Sequence, residues 1–261
     1  MPDQRSQYQG QLRRRVGGFF RNTVHDPERT CAVCRAPREV SDLCTNCAEH
    51  RAAFGERLAD DVLILTYVRG RQPGALHQSA HTVRAYKQSQ PVEKCAEDMA
   101  LMVRAVADLH SDCIEAHCGG PWSSITFVPS RAHPDGSHPV AELARQVQRH
   151  NSSANRLLLG IGPGFDAERT VRADRFTVPA EYADRVADRH VLLIEDTWVS
   201  GAKVQSAALT LHDAGAARVT ALCVARWCRD DWPTHKVLLD SCTAPYDALI
   251  CPVTGAACDV P

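Results

Sequence analysis

The chain has 261 residues, room for one ordinary domain with an appendage or for two small ones. Hydrophobic residues make up 44% and charged residues 23%, with 15 Gly and 15 Pro, which excludes a collagen-like or low-complexity polymer. The 30 Lys and Arg offset 31 Asp and Glu, so no global field draws the molecule to nucleic acid or an anionic membrane, and any such role falls to local patches. No stretch reaches the roughly 18 apolar residues of a membrane helix. The run Val16 to Phe20 is too short for a signal-peptide core, so the chain is read as cytoplasmic, without a membrane partner.

Residues 1–24 carry five Arg against one Asp and show no sustained periodicity, which predicts a basic, mobile arm. Arg5, Arg13, Arg14, Arg15 and Arg21, with Tyr8, Phe19 and Phe20 to stack on bases, would carry any affinity for single-stranded nucleic acid; the alternative is a solvated tail. Residues 25–58 are expected to form a small zinc ribbon. Cys31-Ala-Val-Cys34 and Cys44-Thr-Asn-Cys47 stand nine residues apart, a spacing that brings four thiolates to the corners of one tetrahedral ion. So short and polar a segment has no core of its own without the metal, and a full shell of thiolates leaves no open position for catalysis. His50 either begins a short helix or competes as a ligand.

Residues 59–261 read as one α/β domain. Val62 to Val68 is strand-like, residues 76–88 are weakly amphipathic, and from Pro91 a longer helix carries Val92, Cys95, Met99, Met102, Val103, Val106 and Leu109 at mostly three- and four-residue steps until Gly119 and Gly120. Ile125 to Pro129 is a short buried strand, and Pro139 opens a helix with Val140, Leu143, Ala144 and Val147 on one face. Residues 160–179 read as a long irregular loop. Val191–Ile194, Ala202–Ala214 and Val219–Ala225 then form a strand, helix, strand unit of the parallel kind. The eight cysteines outside the ribbon show no second paired spacing and read as buried thiols. His110, Cys113, His117 and Cys118 have helical spacing but read as a frayed helix end rather than a metal site.

The richest segment is Leu193-Ile194-Glu195-Asp196-Thr197-Trp198-Val199-Ser200-Gly201-Ala202-Lys203. Adjacent acids at the carboxyl end of a parallel strand can accept from sugar hydroxyls, while loop amides and a helix amino terminus cradle a phosphate. This stretch resembles the phosphoribosyl pyrophosphate motif of type I phosphoribosyltransferases. With the paired cysteines upstream, the chain resembles the ComF family, a zinc ribbon followed by a phosphoribosyltransferase domain with a parallel sheet and flanking helices. Tyr67 to Gly70, Arg84 to Lys87, Phe127 to Ser130 with Pro139 to Ala144, and the Arg-rich 168–176 segment resemble further parts of that family.

The resemblance implies that Glu195 and Asp196 hold the ribose, that Val199, Ser200, Gly201, Ala202 and Lys203 hold the 5′-phosphate, and that Ser130 and Arg131 lie near pyrophosphate, with magnesium as cofactor. Val199 and Lys203 stand where the family has hydroxyls, and Val199 also stands where purine-salvage relatives carry an acid. Between residues 130 and 138 the basic types are Arg131, His133 and His138 alone. Arg169, Arg172 and Arg175 either line an anion-binding loop or face solvent, and Trp227 and Trp232 read as cover for the core edge. Three functions stay open: a phosphoribosyltransferase, a protein that binds phosphoribosyl pyrophosphate or a related nucleotide without turnover, and a single-stranded-DNA-handling accessory of the competence kind. The acceptor and any homo-oligomeric state are left open too.

Overall fold

Alternating apolar side chains along two strands decide the layering of the molecule. In the computed structural model, which describes residues 3–38, 41–131, 138–166 and 169–258, Leu63 and Leu65 face one side of the sheet while Val62 and Ile64 face the other. Leu192 and Ile194 likewise oppose Val191 and Leu193. Burial on both faces suits strands sandwiched between helices. His133 and Glu168, both singled out in the sequence, lie outside the described residues.

In chain order the elements are α1 (Gln4–Arg15), β1 (Arg21–Asn22), α2 (Thr45–Phe54), β2 (Asp61–Gly70), α3 (Gln78–Ala85), α4 (Glu93–His117), β3 (Ser124–Phe127), α5 (Pro139–Gln146), β4 (Gly160–Ile161), β5 (Phe176–Thr177), β6 (His190–Trp198), α6 (Ala202–Asp213), β7 (Arg218–Arg229) and α7 (Pro233–Ser241). The main sheet has the order β1-β2-β7-β6-β3, with β1 antiparallel to β2 and every other pair parallel. Side chains from α1, α3, α4 and α5 pack on one face, and α6 packs on the other with Val204, Ala207, Ala208 and Leu211 inward. The expected α/β architecture, a mostly parallel sheet with helices on both faces, is the observed one.

Several expectations need correction. Residues 3–24 are not a loose arm. Leu12, Val16 and Phe20 have no exposed surface, and each such burial stabilises by about 1.5–3 kcal/mol. Tyr8, Leu12 and Val16 recur at four-residue steps, so they share one helical face that the many arginines obscure in the sequence. The charges are engaged as well: Arg15 pairs with Asp98 and with Glu97 (2.7 Å), Arg21 donates to the carbonyls of Gly17 (2.8 Å) and Cys242 (3.1 Å), and Tyr8 donates to Asp108. Phe20 is therefore core, not a stacking platform.

The 160–179 loop contains an antiparallel hairpin of β4 and β5. The strand expected at 191–194 runs on to Trp198, because Thr197 and Trp198 still pair with Ala225 and Arg226 of β7. Cys31, Cys34 and Cys47 belong to the same buried cluster as Ile64, Trp198 and Cys223, so the ribbon's thiols rest on the sheet.

Candidate functional site

A cleft of about 950 Å³ opens beyond the carboxyl ends of β6 and β7. Its floor is the acid pair. Glu195 is 8% exposed and Asp196 2%, and two adjacent buried carboxylates cannot both ionise without help. The help goes to Asp196: its Oδ2 accepts from Tyr86 and from the Lys87 ammonium at 2.9 Å. Burial alone would raise Asp196, yet Lys87 and the Tyr86 hydroxyl outweigh it and hold the carboxyl below its usual range. Glu195, with burial and the Asp196 charge both against ionisation, is pushed up to about 8. Burial and the neighbouring charge thus favour the protonated form of Glu195, while Lys87 favours the carboxylate of Asp196.

A measurable pH dependence follows. An acid whose folded pKa lies above its unfolded value favours the fold while neutral, and this contribution drains away between the unfolded value near 4.3 and the folded value of about 8. Glu195→Gln, neutral at every pH, should gain stability over the wild type across that window, by at most about 1.4 kcal/mol per pH unit, and then level off. Parallel urea titrations between pH 5 and 8.5 check it; a difference that does not change with pH would mean that Glu195 is ionised throughout.

After the acids the chain turns sharply. Gly201 caps α6 with φ +85°, and a Cβ there would sit 2.2 Å from Cζ2 of Trp198, whose ring is fully buried. Only glycine satisfies both the conformation and the space. The first turn of α6 consequently opens on the cleft, where Ser200, Gly201, Ala202 and Lys203 line it together with the exposed Val199. Thr197 also lines this cleft, and its hydroxyl is buried without a hydrogen-bond partner among the described residues. Such a group costs about 1–3 kcal/mol unless a ligand or water serves it.

Positive charge surrounds the acids. Arg71, Arg84, Lys87, Arg169, Arg175 and Lys203 all line the cleft, so its walls suit an anion. Of the three periodic arginines, Arg169 and Arg175 reach the cleft, whereas Arg172 pairs with Asp174 (2.8 Å). Ser130 and Arg131 do not line it. Arg131 pairs with Asp166 (2.8 Å) and lies 5.3 Å from the Phe165 ring, while Lys203 stands 5.7 Å from the same ring. Trp227, read from sequence as core cover, is a cleft residue. Its indole occupies the space a side chain at Gly70 would need, and Arg84 lies 4.9 Å above it.

Sequence reasoning placed neither Tyr86 nor Lys87 in the site. Both follow α3, more than a hundred residues from their partner, and their only signal was the family-like Arg84 to Lys87 segment.

The ribbon lies on the neighbouring flank. One sulfur from each of Cys31, Cys34, Cys44 and Cys47 falls within a 4.8 Å cluster, with Cys34 and Cys44 Sγ 3.5 Å apart. Four soft donors so close together fit tetrahedral zinc. The backbone is built for it: Arg35, at φ +56°, returns its amide to the Cys31 carbonyl (3.1 Å), and the Cys31 amide donates to Ala36 (2.8 Å). His50 sits on α2 outside this cluster. Between ribbon and cleft lies Arg226, only 3% exposed on β7, whose Nη1 donates to the Val199 and Trp227 carbonyls (both 2.7 Å) with Trp198 O at 3.2 Å. Burial opposes its charge, but the neighbouring cysteines Cys34, Cys228, Cys44 and Cys47 outweigh it and push the guanidinium pKa up.

No protein-family model and no curated protein matches the chain. Among solved structures it is similar to a phosphoribosyltransferase from Corynebacterium diphtheriae, at 17% identity over 56% of this chain and 74% of that one, with a TM-score of 0.29. It is also similar to the orotate phosphoribosyltransferase of Mycobacterium tuberculosis H37Rv in complex with inorganic phosphate, at 14% identity over 70% of this chain and 94% of that one, with a TM-score of 0.30.

Proposed function

We propose that the cleft binds phosphoribosyl pyrophosphate with magnesium, and that the chain transfers the phosphoribosyl group to an acceptor in the manner of the phosphoribosyltransferases its motif resembles. One observation carries this reading: an acid pair near the carboxyl end of a parallel strand is followed within a few residues by a glycine-capped helix start, inside a cleft walled by six cationic side chains. The α6 amides and Lys203 would take the 5′-phosphate. Glu195 would meet the ribose hydroxyls, since Asp196 Oδ2 is already engaged by Tyr86 and Lys87. Arg84, Arg169 and Arg175 would face the pyrophosphate.

In the reaction the bond from the anomeric carbon to pyrophosphate breaks as the acceptor's lone pair forms the new one, and the acceptor's proton passes to solvent. The surrounding cations stabilise the departing charge. The two acids lining the cleft are buried, and one is tied to Lys87, so they make no three-carboxylate cation site of their own. Magnesium would enter on the pyrophosphate oxygens and neutralise the leaving group there.

A second reading, binding without turnover, is favoured by the same engagement of Asp196 and by Val199, which puts an aliphatic side chain at the cleft mouth. Calorimetry with phosphoribosyl pyrophosphate and magnesium tests what both share. Glu195→Ala leaves the Asp196–Lys87 pair in place and should weaken binding about 10-fold, the loss of one contact of ~1.5 kcal/mol. An unchanged affinity would put the ligand elsewhere, and no binding by the wild type would end both readings. Pyrophosphate release across candidate amines and bases then separates transfer from binding alone.

A further inference from the structure

Outside the cleft lining, the C-terminal half of α4 meets the C-terminal segment, and four donor atoms converge there. His110 and Cys113, three residues apart on one helical face, join Cys251 and Cys258, and their ligand atoms all lie within 4.8 Å of one another. Cys113 and Cys258 Sγ are 3.1 Å apart, and His110 Nδ1 is 3.4 Å from Cys258 Sγ. His110 and Cys251 have no exposed surface. The imidazole is also set for ligation: Nε2 lies 2.8 Å from the Ala248 carbonyl, which fixes its proton there and turns the Nδ1 lone pair toward the sulfurs.

The backbone supplies an independent observation. Around Cys31 the chain makes a bridge between Thr30 and Pro37, an amide bond from Cys31 to Ala36, a return from Arg35 to the Cys31 carbonyl, and a positive φ at Arg35. Around Cys251 each feature recurs at the same offset. Ile250 bridges Ala257, Cys251 donates to Ala256 (2.8 Å), Gly255 returns to the Cys251 carbonyl (2.8 Å), and Gly255 has φ +71°. The Val253 amide points at Cys251 Sγ (3.4 Å), the amide-to-sulfur contact that steadies a thiolate. Thr254 stands where the first turn has Cys34, and the missing donors come from α4 and Cys258 instead. In the sequence only His110 and Cys113 stood out, grouped with His117 and Cys118 as a helix end; the fold instead unites them with Cys258, 145 and 148 positions away.

From this convergence we infer that His110, Cys113, Cys251 and Cys258 form a second metal site, closed and tetrahedral, that takes zinc. Three thiolates and one imidazole are a structural zinc set with no position left for substrate. His117 and Cys118, grouped with these residues in the sequence, are not part of it: His117 faces Asp61 at 3.7 Å, and Cys118 is core. The metal would clamp the C-terminal segment to α4, and the start of the chain with it, because Arg5 donates to the Cys258 carbonyl (3.1 Å) and Gln9 and Asn22 both bond Asp247.

Metal analysis of the full chain, purified reduced and without added zinc, should give about two equivalents. Cys31→Ser with Cys34→Ser should retain about one, and Cys251→Ser with Cys258→Ser should lose one while keeping the other. The wild-type count needs no variant to fold. About one equivalent in the wild type would overturn the site, as would a peptide map of unreduced, freshly purified protein in which Cys113 and Cys258 are quantitatively disulfide-linked.

Discussion

A chain carrying Cys31→Ser and Cys34→Ser is expected to lose the ribbon zinc and, with it, much of the stability of the whole molecule. Binding of structural zinc is folding free energy, on the order of 10–16 kcal/mol in isolated fingers, which matches or exceeds the ~5–15 kcal/mol that holds a typical domain together. In this chain the effect cannot stay local. Cys31 and Cys34 have no exposed surface and sit in one cluster with Ile64, Trp198 and Cys223, so unpaired serine hydroxyls and a dispersed ribbon would open the sheet's own core. We expect a fall of at least about 10 °C in Tm, or insoluble protein, alongside loss of one zinc equivalent. Thermal melting and metal analysis on the same samples check this; full zinc retention or an unmoved Tm would refute it.

Gly201→Ala should be nearly as damaging for a single methyl group. The left-handed conformation alone costs an alanine about 1–2 kcal/mol. The new Cβ would also press into the Trp198 ring at 2.2 Å, and that ring, fully buried, has no open space to enter. Overpacking of this kind adds about 1–3 kcal/mol. Together the Tm should drop by roughly 5–15 °C, with the α6 start displaced and phosphoribosyl pyrophosphate affinity reduced. Gly215→Ala is the control, since it shares a positive φ of +92° but meets nothing nearer than the Ala187 Cα at 3.6 Å. It should show the conformational cost alone, and equal losses from both variants would mean that Trp198 yields.

What could be read from the sequence was whatever repeats locally. Unbroken apolar runs in Val62 to Ile64 and Val191 to Ile194 announced the buried strands, and two short cysteine spacings announced the cluster of four thiols. The cleft was half visible. Its acids and its glycine are contiguous, but the groups that tune those acids come from Tyr86 and Lys87, and no periodicity links position 87 to position 196. The N-terminal helix was misread because its apolar face is narrow and flanked by Arg13, Arg14 and Arg15, so composition outweighed spacing. Nothing in the sequence singled out Arg226, and only the packing reveals that it is enclosed.

That enclosed guanidinium has a consequence for how ligand would meet the cleft. With zinc bound, the four thiolates would remain an anion whose charge Arg226 would answer, while its donors hold the Trp198–Val199 backbone. Shifting that backbone would strip a buried cation of acceptors it cannot replace from solvent. The turn leading into α6 is therefore rigid before any ligand arrives, and the entropy of ordering it is spent in folding rather than at each encounter. Lysine at this position would keep the charge but give up the planar fork that spans several carbonyls, leaving a softer turn that each incoming phosphate would have to order anew.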